Sequence, residues 1–221
     1  MQLSQSDIRQ PKFKAAIFDL DGTLVDTYPA LLESLNHVLS AFSLPAVDPP
    51  MIKKMVGRGL ENLMRQAVGE ERLKEGIMLF RSSYDQTHLR GSFLFPDVKE
   101  TLLSLRRLGT NMAVASNKPS DYSRNILKHL DINQFFLECF GPDRGVRPKP
   151  DPEMLRTTMQ VLQSTSEETL YVGDMILDVE TARNAGVPVA LISTGGYSLR
   201  ELRDAHPDYL FPHFQMLLTI F

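Results

Sequence analysis

Three short apolar runs in this chain end alike. AAIFD closes on Asp19, AVASN on Ser116 and Asn117, and LYVGD on Asp174. A brief apolar run bounded by turn residues reads as a buried strand. Strands that are apolar along their whole length belong in a parallel sheet covered on both faces. FFLECF and PVALIS supply two more such runs. Helical stretches separate them, near Val98–Leu108, Asp121–Leu130, Glu153–Leu162 and Ile176–Asn184, the last closed by Gly186 at the usual C-terminal glycine position. Alternation of this kind predicts an α/β fold with a doubly wound parallel sheet. Ligands of such sheets bind beyond the carboxyl ends of the strands, so the three polar tips should meet at one edge.

One segment breaks the alternation. From Tyr28 to Leu94 no strand is evident. Leu31, Leu32, Leu35, Val38, Leu39 and Phe42 form a helical stripe, ended by Pro45, Pro49 and Pro50. Two further helical stretches are expected near Met51–Val68 and Glu71–Leu89. Residues 27–95 are therefore read as a helical cap inserted into a core made of 1–26 and 96–221. Asp26, Thr27 and Tyr28 mark the first linker, and Phe95 and Pro96 the second. Residues 1–11 read as a polar tail, and YLFPHFQMLLTIF as a packed terminal helix.

The strand tips carry the chemistry. Asp19 and Asp21 place two carboxylates two residues apart, which suits one nucleophile and one acid/base group. Asp174 and Asp178 lie about one turn apart if a helix begins just after Asp174. Carboxylates suit a hard cation such as Mg²⁺, which prefers oxygen ligands and keeps several waters. Zinc is disfavoured, because no cysteine pair or paired-histidine spacing occurs. Ser116 and Asn117 offer hydroxyl and amide donors, and Lys149 is held between Pro148 and Pro150. Each also has a plain structural use. Asp-Gly turns the chain, Ser and Asn cap helices, early-helix carboxylates suit the positive helix end, and a loop lysine is solvated. In the insertion, Gly57-Arg58-Gly59 reads either as a turn or as a loop bringing Arg58 to an anionic substrate tail. The four aspartates outweigh one Mg²⁺ and Lys149 by a single charge. A phosphate dianion would be repelled without the metal and the lysine.

FDLDGTLVDT, VASNKP, RPKPDP and YVGDMILDVETARNAG, in this order, are similar to the four motifs of the haloacid dehalogenase superfamily. They span Phe18 to Gly186. The helical insertion resembles the cap of its phosphoglycolate phosphatase-like branch. The resemblance implies a Rossmann-like core and a phosphatase of small phosphorylated metabolites. It implies Asp19 as nucleophile, Asp21 as general acid/base, and Asp19, Asp21 (through its carbonyl), Asp174 and Asp178 around Mg²⁺. Asp178 would orient a metal-bound water or Lys149. Ser116, Asn117, Lys149 and the backbone at Leu20, Asp21 and Gly22 would bind the phosphoryl group. Asp21 argues for phosphoryl transfer, because the dehalogenases of this superfamily lack it.

Other readings are a phosphosugar mutase, which shares the nucleophile, and a signalling receiver. The receiver is disfavoured because the aspartate pair follows the first strand. With 24 basic and 27 acidic residues the net charge is -3, which argues against nucleic acid. No stretch reaches the ~18 apolar residues of a membrane span. MQLSQSDIRQPKFK lacks the apolar core of a signal peptide, so a cytoplasmic protein is expected. The single cysteine, Cys139, cannot form an internal disulfide and is expected to be a small buried hydrophobe. A monomer or homodimer is expected.

Overall fold

The computed structural model describes residues 12–221; the tail expected at 1–11 lies outside the described residues. Six strands form one parallel sheet: β1 (Ala15–Phe18), β4 (Asn111–Ala115), β5 (Cys139–Phe140), β6 (Thr169–Gly173), β7 (Val189–Ile192) and β8 (Tyr209–Phe211). Their order is β5-β4-β1-β6-β7-β8. β1 is thus central, with β4 on one side and β6 on the other, and the strand order reverses there. Ala15 to Phe18 pair with Asn111 to Val114 and with Thr169 to Val172. This register brings the ends of β1, β4 and β6 level.

Alternate residues of each strand face opposite layers. Ala16, Phe18, Met112, Val114, Leu170 and Val172 pack with Val98, Leu102 and Leu105 of α5 (Val98–Arg107) and Ile126 and Leu127 of α6 (Ser120–His129). Ala15, Ile17, Ala113, Ala115 and Tyr171 pack on the other face with Met154, Leu155 and Leu162 of α7 (Glu153–Leu162) and Val179 and Ala182 of α8 (Ile176–Ala185). Leu202 of α9 (Leu199–Asp204) completes that layer. Both faces are covered, which explains why the strands lack polar alternation.

Between β1 and β4 the chain builds α1 (Tyr28–Ala41), α2 (Pro49–Met55), α3 (Leu60–Val68) and α4 (Leu73–Thr87). Their core is separate, around Leu31, Leu35, Val38, Ile52, Leu63, Met64, Phe80 and Tyr84. Asp48 caps α2 by accepting from Met51 N–H at 2.9 Å.

The structure corrects four sequence expectations. The stretch Met51–Val68 is two helices, because Gly57 and Gly59 take φ of 110° and 85°, which a helix does not tolerate. A short antiparallel ribbon, β2 (Val25–Asp26) and β3 (Phe93–Leu94), joins the helical block to the sheet. FFLECF contributes only Cys139 and Phe140 to the sheet, since a 3-10 turn occupies Asn133–Phe135. The C-terminal run is strand β8 followed by a 3-10 helix at Phe214–Thr219, not one helix. Pro212, with its fixed φ and no N–H, separates the two. Cys139 is buried and unpaired, and its surroundings push the thiol up to about 12, burial first among them.

Candidate active site

Beyond the carboxyl ends of β1 and β6 lies a buried polar floor. Lys149 Nζ sits 2.8 Å from Asp19 Oδ2, 2.8 Å from Asp178 Oδ1 and 2.9 Å from Tyr171 Oη. Tyr171 Oη also donates to Asp178 Oδ1 at 2.8 Å. Asp178 Oδ2 accepts from the N–H groups of Asp174 and Met175, both at 3.1 Å, at the start of α8. Asp174 Oδ1 accepts from Thr23 Oγ1 at 2.8 Å, while its Oδ2, equally buried, has no partner among the described residues.

Burial sets the electrostatics of this floor. It pushes the Asp19 carboxyl up to about 6; Lys149 opposes the rise and Asp178 adds to it. Asp174 is held well above the ordinary carboxylate range by burial, then by Asp178 and Asp19. Burial disfavours the Lys149 ammonium, yet Asp178 and Asp19 outweigh it and keep that group charged. Asp19, Asp174 and Asp178 each offer an oxygen, and these oxygens lie within 4.8 Å of one another. Three buried carboxylates face one buried ammonium. The excess matches the charge of one divalent cation, and the unpartnered Asp174 oxygen gives it a place to bind. An all-oxygen set fits Mg²⁺.

Asp178 is the most heavily bonded of the four metal candidates. Both its oxygens already accept bonds, from Lys149, Tyr171 and two backbone N–H groups. It is placed to hold Lys149 and the turn carrying Asp174.

Asp21 lies at the seam with the helical block. Its Oδ1 accepts from Thr27 Oγ1 at 2.6 Å, and its Oδ2 is 3.1 Å from Lys118 Nζ. Lys118 also donates to Tyr84 Oη of α4 at 2.7 Å, with its ammonium 4.7 Å from that ring's centre. Burial works against the Lys118 charge, but Asp21 and Tyr84 outweigh it and hold the group above its ordinary value. A cleft of ≈ 320 Å³ opens above Asp19 and Asp21. Ser116 and Lys118 line its base, Leu31, Leu63, Phe80 and Tyr84 its far wall, and Arg58 and Arg81 belong to its lining too. Arg58 is exposed.

Three expected phosphate donors are otherwise engaged, the first being the Leu20 N–H, which donates to Asp19 Oδ1 at 2.7 Å. Asn117 Oδ1 accepts from Lys149 N–H at 2.8 Å, and its Nδ2 donates to the carbonyls of Lys149 and Gly57 at 3.1 and 3.0 Å. Its side chain therefore clamps the Lys149 loop and touches the helical block. The Gly22 N–H donates to the Val25 carbonyl in the turn after β1. Ser116 keeps its expected place, its hydroxyl accepting a long 3.4 Å bond from Lys118 N–H. Sequence reasoning missed Lys118 and Tyr84. Lys118 stands beside Asn117 in the SNKP motif, which could have flagged it; nothing marks Tyr84 within an ordinary helical stripe.

Known proteins resemble this chain along most of its length. The phosphoglycolate phosphatase of Vibrio cholerae is 33% identical over 218 residues, covering 94% of this chain and 96% of that one. That of Photorhabdus laumondii is 35% identical over 214 residues, covering 93% and 91%. A crystal structure described as a predicted phosphoglycolate phosphatase from Haemophilus somnus 129PT superposes with a TM-score of 0.88 at 30% identity, covering 95% of this chain and 98% of that one. The family described as haloacid dehalogenase-like hydrolase matches residues 16–192, and the chain belongs to it.

Proposed function

We propose that this hydrolase is a Mg²⁺-dependent phosphatase of small phosphate monoesters, acting through an aspartyl phosphate on Asp19. The observation that carries this reading is the division of the two carboxylates. Asp19 lies buried against Lys149 in the floor, whereas Asp21 sits at the seam, partly open to the cleft. Paired carboxylates in different surroundings take different roles.

Asp19 attacks phosphorus through a carboxylate oxygen, and the bond from phosphorus to the ester oxygen breaks. Asp21 gives its proton to the departing alkoxide. Asp21 then takes a proton from the incoming water, whose oxygen attacks phosphorus, releasing phosphate and restoring Asp19. Lys149 neutralises charge on Asp19 and on the transferring oxygens. Ser116 binds the phosphoryl group, and Asn117 fixes Lys149. Asp19, Asp174 and the Asp21 carbonyl would hold Mg²⁺, with Asp178 buttressing Lys149. Bound there, the cation supplies Lewis-acid stabilisation of charge on the phosphoryl oxygens. Residues 27–95 act as a cap whose closure excludes bulk water from the cleft. Arg58, on the cap, meets an anionic tail of the substrate.

Phosphoglycolate is the first substrate to test, because the curated relatives bear its name. Phosphate release is measured from a panel of phosphorylated metabolites with Mg²⁺ and with EDTA. Metal-dependent release is expected, with Asp19→Asn losing roughly 10⁴–10⁶-fold in kcat. An active, folded Asp19→Asn protein would overturn the reading. Isomerisation of a sugar phosphate without phosphate release would make the enzyme a mutase.

A further inference from the structure

Tyr28 is the first residue of α1, in the segment that leads from the sheet into the helical block. It is 3% exposed, and its hydroxyl has no hydrogen-bond partner among the described residues. A buried tyrosine hydroxyl ordinarily finds a partner. The Asp174 Oδ2 atom is a second orphan of the same kind.

The two orphans face one spot. A Cβ placed on Gly22 would lie 2.4 Å from Asp174 Oδ2 and 2.5 Å from Tyr28 Oη. Gly22 has φ of 83°, and only a residue without a side chain admits both oxygens this close to the backbone. Across the same oxygen, a Cβ on Gly195 would lie 1.9 Å from Asp174 Oδ2. Two glycines therefore clear the space around an unpartnered carboxylate oxygen, and the Tyr28 hydroxyl reaches into it from the cap. The phenol is held far above its ordinary value by burial, then by Asp174, Asp21 and Asp19, so it stays neutral.

We infer that Tyr28 is a positioning residue of the metal site, its hydroxyl accepting a hydrogen bond from a water of the cation's hydration shell beside Asp174. The inference rests on the reading of the acidic floor as a Mg²⁺ site. Mg²⁺ sheds its waters reluctantly, so a site built from few carboxylates needs groups to orient those waters. Tyr28 supplies such a group from the cap side. The bound cation thereby becomes a tie between α1 and the sheet.

The test is Tyr28→Phe, compared with wild type and Asp174→Asn without substrate. Mg²⁺ affinity is measured by calorimetric titration and the metal-free melt is recorded in EDTA. Loss of an outer-shell partner typically weakens metal binding by about 10–100-fold, and at least about tenfold is expected here. The metal-free Tm should stay level or rise, because phenylalanine removes an unsatisfied buried hydroxyl. A merely structural tyrosine would lower the metal-free Tm and leave affinity unchanged, and that result overturns the inference. Affinity within twofold of wild type overturns it as well. Tyr28→Met, which also lacks the hydroxyl, must reproduce the affinity loss; if it does not, the hydroxyl is not the cause. Should wild type fail to bind Mg²⁺, or Asp174→Asn bind it equally well, the metal reading itself falls and the Tyr28 inference with it.

Discussion

Two buried lysines pair with the carboxylates that follow β1, and their settings differ. Lys149 pairs with Asp19 and Asp178 and bonds Tyr171, all supplied by the α/β core. Lys118 pairs with Asp21 on the core but bonds Tyr84 on the cap. The ion-pair surroundings of Asp19 are thus complete without the helical block, whereas those of Asp21 are not. The floor is built for permanence and the seam for assembly. Anything that disturbs the floor should cost the fold as well as the chemistry. Damage at the seam should fall on one chemical step.

The sharpest way to break this contrast is Lys149→Met. It leaves Asp19 and Asp178 buried without their cation. Removing one partner of a buried ion pair typically costs about 3–5 kcal/mol. Chemical denaturation at pH 7 should show that loss, together with loss of phosphate release. A Lys149→Met protein as stable as wild type would mean that the floor is more hydrated than its burial implies.

Lys118→Met tests the seam. General acid catalysis contributes about 10²–10⁴-fold, and it matters most for leaving groups that cannot depart unprotonated. Lys118→Met leaves Asp21 in place but without the partner that orients it, so a drop of part of that size in kcat is expected with alkyl phosphates. Much less is expected with p-nitrophenyl phosphate, whose leaving group departs as a stable anion. Tyr84→Phe should show the same pattern with a smaller drop, because it removes only the anchor of Lys118. Equal losses on both substrate types would assign Lys118 to phosphate binding instead.

The proton linkage of the floor gives a third test. With EDTA present, Asp19 titrates near 6 in the folded chain against 3.8 for an ordinary aspartate. Between those values the folded state keeps a proton that the unfolded state has released. The stability contributed by this raised group is complete below 3.8 and is lost as pH rises through about 6. Asp174 is shifted in the same direction. The metal-free Tm should therefore gain a component that falls across this window, and Asp19→Asn should flatten it. Saturating Mg²⁺ should restore stability at the upper end, since it favours the ionised carboxylates. A flat difference between wild type and Asp19→Asn would show that Asp19 is not raised.

Legibility in the sequence follows the same division. Asp19, Ser116 and Asp174 could be placed at one sheet edge because each ends an apolar run. Strand ends need no knowledge of packing. Only the family resemblance could join Asp178 to Lys149, and then as one of two alternatives, since their pairing depends on how α8 and the loop before α7 approach β1. Lys118 and Tyr84 were invisible as a pair. They lie 34 residues apart, in two separately packed layers, and only the docking of cap on core brings them together. Asn117 and Gly22 show what position in a motif leaves out: the Asn117 amide donates to the Lys149 and Gly57 carbonyls and the Gly22 N–H to that of Val25, bonds that only the folded backbone reveals. The C-terminal strand was missed because YLF is too short to show a period, and the helical spacing of its neighbours dominated.

Arg58 offers the smallest effect and the finest distinction. It lies in the turn between α2 and α3, exposed, lining the cleft above the seam. Neither lysine network includes it, so its removal should leave both intact. A solvated arginine that meets an anionic substrate tail contributes mainly to ground-state binding. Arg58→Ala should then raise KM for phosphoglycolate several-fold, with kcat nearly unchanged. The same variant should leave KM for p-nitrophenyl phosphate unmoved, because that ester has no anionic tail. A fall in kcat with both substrates would place Arg58 with the seam, as part of what closure assembles. An unchanged KM with phosphoglycolate would make the Gly57-Arg58-Gly59 turn a connection between two helices and nothing more. Either result bears on Gly57 as well, since its carbonyl already accepts from the Asn117 amide that clamps Lys149. The turn carrying the most peripheral of these charges is thus bonded to the same side chain that holds the floor, and a kcat effect at Arg58 would have to travel through that contact.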